Sequence, residues 1–184
     1  MTQDASALEY ALLGLLLQGP RSGYDLRRIF VSTPISVFSD SPGAIYPALR
    51  RLARRRWIAA AAGTRRTGRR RQVFSPTAAG RVAFGRWLRR PPSRDDVVRR
   101  WDTLMLRLAF MSGNTEPGEV VEFLSALQRE LDGHLAGLEA FRVAQGDKLT
   151  FSGALAFESG IEGYRATSRW LRRTLTRSRE RRRA

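Results

Sequence analysis

Cysteine does not occur among the 184 residues of this chain, which excludes disulfides and thiolate metal sites. Its one histidine, His134, stands without partners of the kind a zinc site needs, so no metal is expected. Lysine is almost missing as well: Lys148 is the single one among 33 basic residues. The abundance of arginine is therefore read as a codon bias of the whole chain rather than as selection for bidentate contacts. No apolar run approaches the roughly 20 residues of a membrane span, and Met1-Thr2-Gln3-Asp4 lacks the basic stretch of a signal peptide. No membrane partner is expected, and the cytoplasm is the expected compartment. Nor is there a P-loop, a dinucleotide fingerprint, an activated nucleophile beside a base, or a carboxylate pair in apolar surroundings. Asp95 and Asp96 are neighbours, but they fall at a helix start, where capping explains them. No catalytic residue and no cofactor is assigned, and an enzyme is not expected.

Acidic residues are scarce in one half only. Residues 1–90 hold seventeen arginines against Asp4, Glu9, Asp25 and Asp40, whereas residues 91–184 come close to balance. The net charge of +16 is therefore concentrated in the first half, and that half is expected to face a polyanion. Most of the remaining surplus belongs to a tail, Arg177 to Arg183, read as a solvated end rather than a second contact.

Ser6 and Glu9 have capping-box spacing and open an apolar run to Leu17, stopped by Gly19-Pro20. This helix is apolar nearly all round and should be buried. Ser22 and Asp25 repeat the pattern before a short helix, Gly23 to Phe30. A turn-rich connection with Pro34 and Pro42 leads to a third helix, roughly Gly43 to Arg55, in which Ile45, Leu49 and Leu52 make one apolar stripe. Its other side carries Tyr46, Arg50, Arg51 and Arg54, and its first turn is slim because Gly43 and Ala44 have almost no side chain. Two short apolar segments, Trp57 to Ala60 and Gln72 to Ser75, flank a glycine-punctuated basic loop and read as a β-hairpin. From Pro47 to Gln72 there are ten arginines and no acid. A merely solvated face would normally mix the signs to limit self-repulsion. Thr77 then caps a fourth helix, Ala78 to Leu88, closed by Pro91-Pro92.

Three helices followed by a hairpin with a basic tip describe a winged helix-turn-helix, whose third helix reads double-stranded DNA with its N-terminal residues. On this reading Ser41, Gly43, Ala44 and Tyr46 approach bases and phosphates. Arg50, Arg51 and Arg54 take flanking phosphates, Tyr24 takes another, and Arg65, Arg66, Arg69, Arg70 and Arg71 grip the adjacent minor groove. Two readings compete with sequence-specific binding: a non-specific, nucleoid-type coat, for which the charge alone would suffice, and a winged domain turned to a protein partner, against which the unbroken arginine run argues.

At these residues the chain resembles the PadR family of transcriptional regulators. The resemblance rests on Leu8-Glu9-Tyr10-Ala11-Leu12-Leu13-Gly14-Leu15-Leu16, Ser22-Gly23-Tyr24-Asp25-Leu26, Ser41-Pro42-Gly43-Ala44-Ile45-Tyr46-Pro47-Ala48-Leu49, Gly68-Arg69 and Thr77-Ala78-Ala79-Gly80. The chain departs from the family at Arg56, where a glycine usually closes the third helix in a left-handed conformation. An arginine keeping that geometry would bear a cost of order 1 kcal/mol. It departs again at Gln72, Val73 and Phe74, where the family's wing often carries a basic residue and tyrosines.

The second half should be helical throughout. Ser93 and Asp96 open a fifth helix, Arg94 to Met111. Val120, Leu124, Leu127, Leu131, His134, Leu138 and Phe141 form a heptad seam, and after Gly146 a second seam reads Ala154, Phe157, Ile161, Tyr164, Ser168, Leu171 and Leu175. Two such stripes cannot both be buried on a small winged domain, so they should pair with each other and with a second copy of the chain. His134 is read as a packed core histidine, with a pH or ligand sensor as the alternative. Trp101, Phe110, Phe157, Tyr164 and Trp170 are core packing or the lining of an apolar effector pocket.

The expectation is thus a mainly α protein. Residues 1–90 form a winged helix-turn-helix domain with one small β-hairpin, and residues 91–184 form long antiparallel helices that dimerise and sense an effector. The family resemblance implies a homodimeric, cytoplasmic and nucleoid-associated regulator. It would repress by binding a palindromic operator and be released by a small aromatic or amphipathic effector.

Overall fold

The computed structural model describes residues 4–38, 42–61 and 72–183. The chain divides into two compact units between Leu88 and Arg89, each built around helices.

The first unit opens with α1, Ala7–Leu17, which is buried along almost its whole length. Its start is held by a reciprocal cap: the Glu9 backbone N–H donates to the Ser6 hydroxyl, and the Ser6 N–H donates to Glu9 Oε2 at 2.8 Å. Strand β1, Arg21–Ser22, follows, and then α2, Gly23–Ser32, capped in the same way by Ser22 and Asp25. A single 3₁₀ segment, Pro34–Phe38, precedes α3, Pro42–Arg54. The stripe of Ile45, Leu49 and Leu52 is buried against α1 and α2, joined by Ala48. Strands β2, Ile58–Ala60, and β3, Val73–Pro76, then lead to α4, Ala78–Arg89.

Where the sequence leads one to expect a two-stranded hairpin, the sheet has three antiparallel strands among the described residues, in the order β1-β3-β2. Arg21 and Ser22 pair with Phe74 and Val73. A two-residue strand leaves no alternating pattern in the sequence, and the capping role of Ser22 by itself accounts for that serine.

The end of α3 shows how Arg56 is accommodated. The Trp57 N–H donates to the Leu52 carbonyl at 3.0 Å and the Arg56 N–H to Ala53 at 2.9 Å. This is a Schellman closure, and it places Arg56 at φ 57°, the one non-glycine positive φ among the described residues. The turn is then clamped by α4. The Thr77 hydroxyl donates to the Arg56 carbonyl at 2.6 Å and accepts from the Gly80 N–H. A Cβ on Gly80 would lie 2.1 Å from the Trp57 carbonyl oxygen, so no larger residue fits there.

In the second unit the expected fifth helix is two. Helix α5, Arg94–Arg99, ends at Arg100, whose φ of −136° and ψ of 33° break the helical path before α6, Trp101–Met111. Arg100 reaches back to Asp95 and Asp96, and the apolar spacing carries on across the break, so hydrophobic periodicity gives no sign of it. Helices α7, Pro117–Gln145, and α8, Phe151–Arg183, run antiparallel. Along them His134 meets Tyr164 and Phe141 meets Phe157, partners from the two heptad stripes, while Ser168 of the second stripe meets Gln128, which lies beside the first. A polar layer crosses the seam: Gln128 Nε2 donates to Asp132 Oδ1 at 2.7 Å and to Ser168 Oγ at 2.8 Å, and Ser168 donates to Asp132 at 2.9 Å. Burial pushes the Asp132 carboxyl up, but these donors together with Arg172 more than offset it and leave it below its ordinary value. Arg107, buried in α6, lies over the Phe123 ring of α7 at 4.8 Å, and its desolvation lowers its pKa to about 10.

Two expected outcomes follow from these elements. Relief of the left-handed strain at Arg56 is worth about 1–2 kcal/mol, and the larger freedom of an unfolded glycine returns about 0.5–1 kcal/mol. Arg56→Gly should thus stabilise the protein by roughly 0.5–1 kcal/mol, seen as a higher denaturant midpoint at unchanged m. Burial, aided by Arg94, holds the His134 imidazole below its ordinary value. As pH falls through about 6.5 the unfolded chain takes up a proton that the folded one refuses, so stability drops there and is untouched above it. His134→Phe should lose less melting temperature between pH 7.5 and 5.5 than the parent protein.

Candidate nucleic-acid interface

Helix α3 is two-sided. With its apolar stripe packed inward, Gly43, Tyr46, Arg50 and Arg54 are exposed, and Ala44 is half-buried at the first turn. Tyr46 keeps 48% of its surface exposed, and Tyr24 of α2 keeps 43%. Ser41 and the wing residues Arg65, Arg66, Arg69, Arg70 and Arg71 lie outside the described residues.

One of the assigned arginines also has a partner within the unit. Arg51, expected on a phosphate, donates from Nε to Glu9 Oε1 at 3.3 Å, and Arg55 Nε stands 3.9 Å from the same oxygen. Glu9 is only 3% exposed. A carboxylate taken that far from water demands compensation, and it receives it from the Ser6 N–H and these two guanidiniums. Arg55 also lies over the Trp57 ring at 5.2 Å. Arg51 is thus a tie between α3 and α1. Nothing in the sequence marks it, because Glu9 is 42 residues away and its spacing from Ser6 points to a cap alone.

Two residues join this surface from α2. Arg27 and Arg28 are exposed, three and four positions beyond Tyr24 and so on the same face of the helix. That spacing is visible in the sequence, although there the two arginines count only toward net charge. The acids of α1 and α2 stay off this surface: Glu9 is buried, and Asp25 Oδ2 accepts from the Ser22 N–H at 3.1 Å and from its hydroxyl at 2.6 Å. The described surface of α2 and α3 therefore presents arginine, two phenols and a slender helix start, which suits phosphates and groove edges.

In the second unit the five aromatic residues considered for an effector pocket do not converge. Trp101 and Trp170 meet edge to face at 6.4 Å, Phe110 is core, and Tyr164 packs edge-on against His134 at 4.6 Å. Phe157 borders a half-open cavity of about 260 Å³ near the turn between α7 and α8, lined also by Leu149, Ala154, Ile161, Arg142 and Arg165. Glu139 accepts from both arginines there. Among the described residues no cluster of metal-ligating side chains occurs, and no helix is long and apolar enough to cross a membrane.

The division between tie and exposed cation has a measurable consequence. Arg51→Ala should cost about 1 kcal/mol of stability, since it strips one partner from a buried carboxylate while Arg55 remains. Arg50→Ala should leave the unfolding midpoint within about 0.5 kcal/mol of the parent. Equal destabilisation by the two would contradict the assignment.

Known proteins resemble this chain over its first unit above all. Residues 12–86 match the family model described as the transcriptional regulator PadR-like family. The negative transcriptional regulator PadR of Bacillus subtilis (strain 168) is 30% identical over 105 residues, which is 57% of this chain and 57% of that protein; the match thus spans little more than half of the relative's length. Among solved structures, a PadR-like transcriptional regulator from Bacillus cereus is 24% identical, with 95% of this chain and 99% of that one covered and a TM-score of 0.42. Bacillus subtilis PadR in complex with operator DNA is 23% identical over 94% and 99%, with a TM-score of 0.43. The same regulator in complex with p-coumaric acid is 21% identical over 97% and 98%, also at 0.43. Over residues 12–86, the span of its winged helix-turn-helix, the chain matches the PadR-like family of transcriptional regulators.

Proposed function

We propose that the protein is a repressor that binds a palindromic operator in double-stranded DNA as a homodimer and leaves it when a small aromatic or amphipathic effector binds. The observation that carries this reading is the face of α3: Gly43, Tyr46, Arg50 and Arg54 point outward while the opposite stripe is sealed in the core. A helix so mounted enters the major groove by its first turn. Ser41, Gly43, Ala44 and Tyr46 approach the base edges; Arg50 and Arg54 take phosphates, with Tyr24, Arg27 and Arg28 on the neighbouring strand of the duplex backbone. The wing arginines 65, 66, 69, 70 and 71 take the minor groove beside it.

Residues 1–90 thus serve DNA, and residues 91–184 serve dimerisation and effector sensing. Near the turn between α7 and α8, Phe141, Val143, Phe151 and Leu155 are all exposed, Val143 and Phe151 to 82%. Apolar surface of this extent favours a second copy. The cavity beside Phe157 is the effector site this reading prefers. An effector acts only by binding the two dimer conformations unequally. The protein would then work in the cytoplasm, at the nucleoid.

Footprinting on the DNA upstream of its own gene, repeated with a panel of aromatic and amphipathic compounds, tests the proposal. A protected palindrome that withstands competitor DNA is expected, and a nucleoid-type coat would protect no preferred sequence. If the dimer neutralises about 6–10 phosphates, affinity should fall ~10³–10⁵-fold between 50 and 200 mM salt. Arg50→Ala should weaken binding to all sequences alike and flatten that salt slope by about 1 for each phosphate the variant no longer neutralises.

A further inference from the structure

We propose that Gly23 is the positioning residue for Tyr46: the bare backbone at the start of α2 is the seat against which the tyrosine ring rests, and it sets how far the phenol reaches from α3. The proposal rests on the DNA-binding reading above and adds a residue to it that the exposed surface does not reveal.

Gly23 is buried as the first residue of α2. Its conformation does not call for glycine, since the positive-φ glycines among the described residues are Gly19 and Gly113. Helix propensity argues against it, alanine being favoured over glycine by about 1 kcal/mol inside a helix. What Gly23 does meet is α3. A Cβ there would stand 2.7 Å from Tyr46 Cε1, 3.3 Å from Tyr46 Cδ1 and 3.3 Å from Leu49 Cδ1. Carbon atoms in contact settle at about 3.5–4.0 Å, so a methyl group at this point must displace the ring by about 1 Å.

The direction of that displacement is constrained. Inward, Leu49 is 2% exposed and part of the core. The start of α2 cannot easily retreat either. Ser22 is paired with Val73 in the sheet and caps α2 by accepting from the Asp25 N–H while donating to the Asp25 carboxylate. Pro47, following Tyr46 inside the helix, has a fixed φ and stiffens the backbone beneath the ring. The ring yields outward, into the surface that would face the groove. Base contacts depend on placement within about 0.5 Å, so Gly23 governs recognition without touching DNA.

The test has one arm without DNA and one with it. The four tyrosines are replaced by 3-fluorotyrosine, and the Tyr46 resonance is identified through Tyr46→Phe. Gly23→Ala should move that ¹⁹F line and leave the Tyr164 line in place. In the second arm, duplexes are selected from a random-sequence pool by the parent protein, and the ratio of specific to non-specific affinity is measured for the parent, Gly23→Ala, Tyr46→Ala and the double variant. Gly23→Ala should lower the ratio about tenfold with an unchanged or higher melting temperature, and should cost nothing further once Tyr46 is alanine. A parent protein that selects a sequence, together with a Gly23→Ala variant that keeps its full ratio, overturns the proposal alone. So does an equal penalty in both backgrounds. A parent protein that selects no sequence overturns the DNA-binding reading, and the proposal with it, whatever the ¹⁹F line does.

Discussion

Glu9 sits where a charge is costly, buried in the first turn of the most apolar helix of the chain, and part of the winged unit can be understood as the answer to that cost. One carboxylate oxygen takes the Ser6 N–H at 2.8 Å and starts α1; the other takes Arg51 and faces Arg55. A lone buried carboxylate would be worth several kcal/mol of destabilisation, so its pairing with Arg51 and Arg55 adds to the buried stripe of Ile45, Leu49 and Leu52 in fixing the angle of α3 about its own axis. With Arg51 leaning back to Glu9, Arg50 and Arg54 lie elsewhere on the cylinder. The orientation of the candidate reading surface is in this sense shared between the sealed apolar stripe and a charge almost wholly withdrawn from solvent.

A comparable logic governs the second unit with weaker charges. Apolar heptad stripes alone tolerate slippage, because one leucine layer looks much like the next. The Gln128, Asp132 and Ser168 layer removes that freedom, since a shift along the seam would leave a carboxylate and an amide facing leucine. Gln128 Oε1 is itself buried without a hydrogen-bond partner among the described residues, a further sign that the layer is there for alignment rather than for net stability. Trp101 against Trp170 and Arg107 over Phe123 then join α6 to both long helices.

How much of this is legible in the sequence depends on the range of the interaction. The three serine caps, Ser6, Ser22 and Ser93, with their acids three residues on, are readable because both partners lie within one turn. So are the stripes of α3, α7 and α8, since burial imposes a period on the sequence. What escapes is non-local or aperiodic. The Glu9–Arg51 tie spans 42 positions, β1 is too short to alternate, and the break at Arg100 interrupts the backbone but not the apolar spacing. Arg56 lies between these cases: the resemblance to PadR-like proteins marks a left-handed position, and the structure retains it with an arginine in place. On the interface itself, outwardness is readable for Tyr46, Arg50 and Arg54, whereas Tyr24 stands out in the sequence without the arginines that share its face.

The sheet order carries a consequence of its own. Because β3 runs between β1 and β2, the base of the wing is bonded on both flanks, once to its own hairpin partner and once to the residues that launch α2. A ribbon anchored on a single side can pivot like a door; one anchored on both cannot. Insertions and substitutions between β2 and β3 therefore need not be transmitted to the helices. Relatives can drift in that stretch, and selection can retune it while the scaffold that aims α3 stays put.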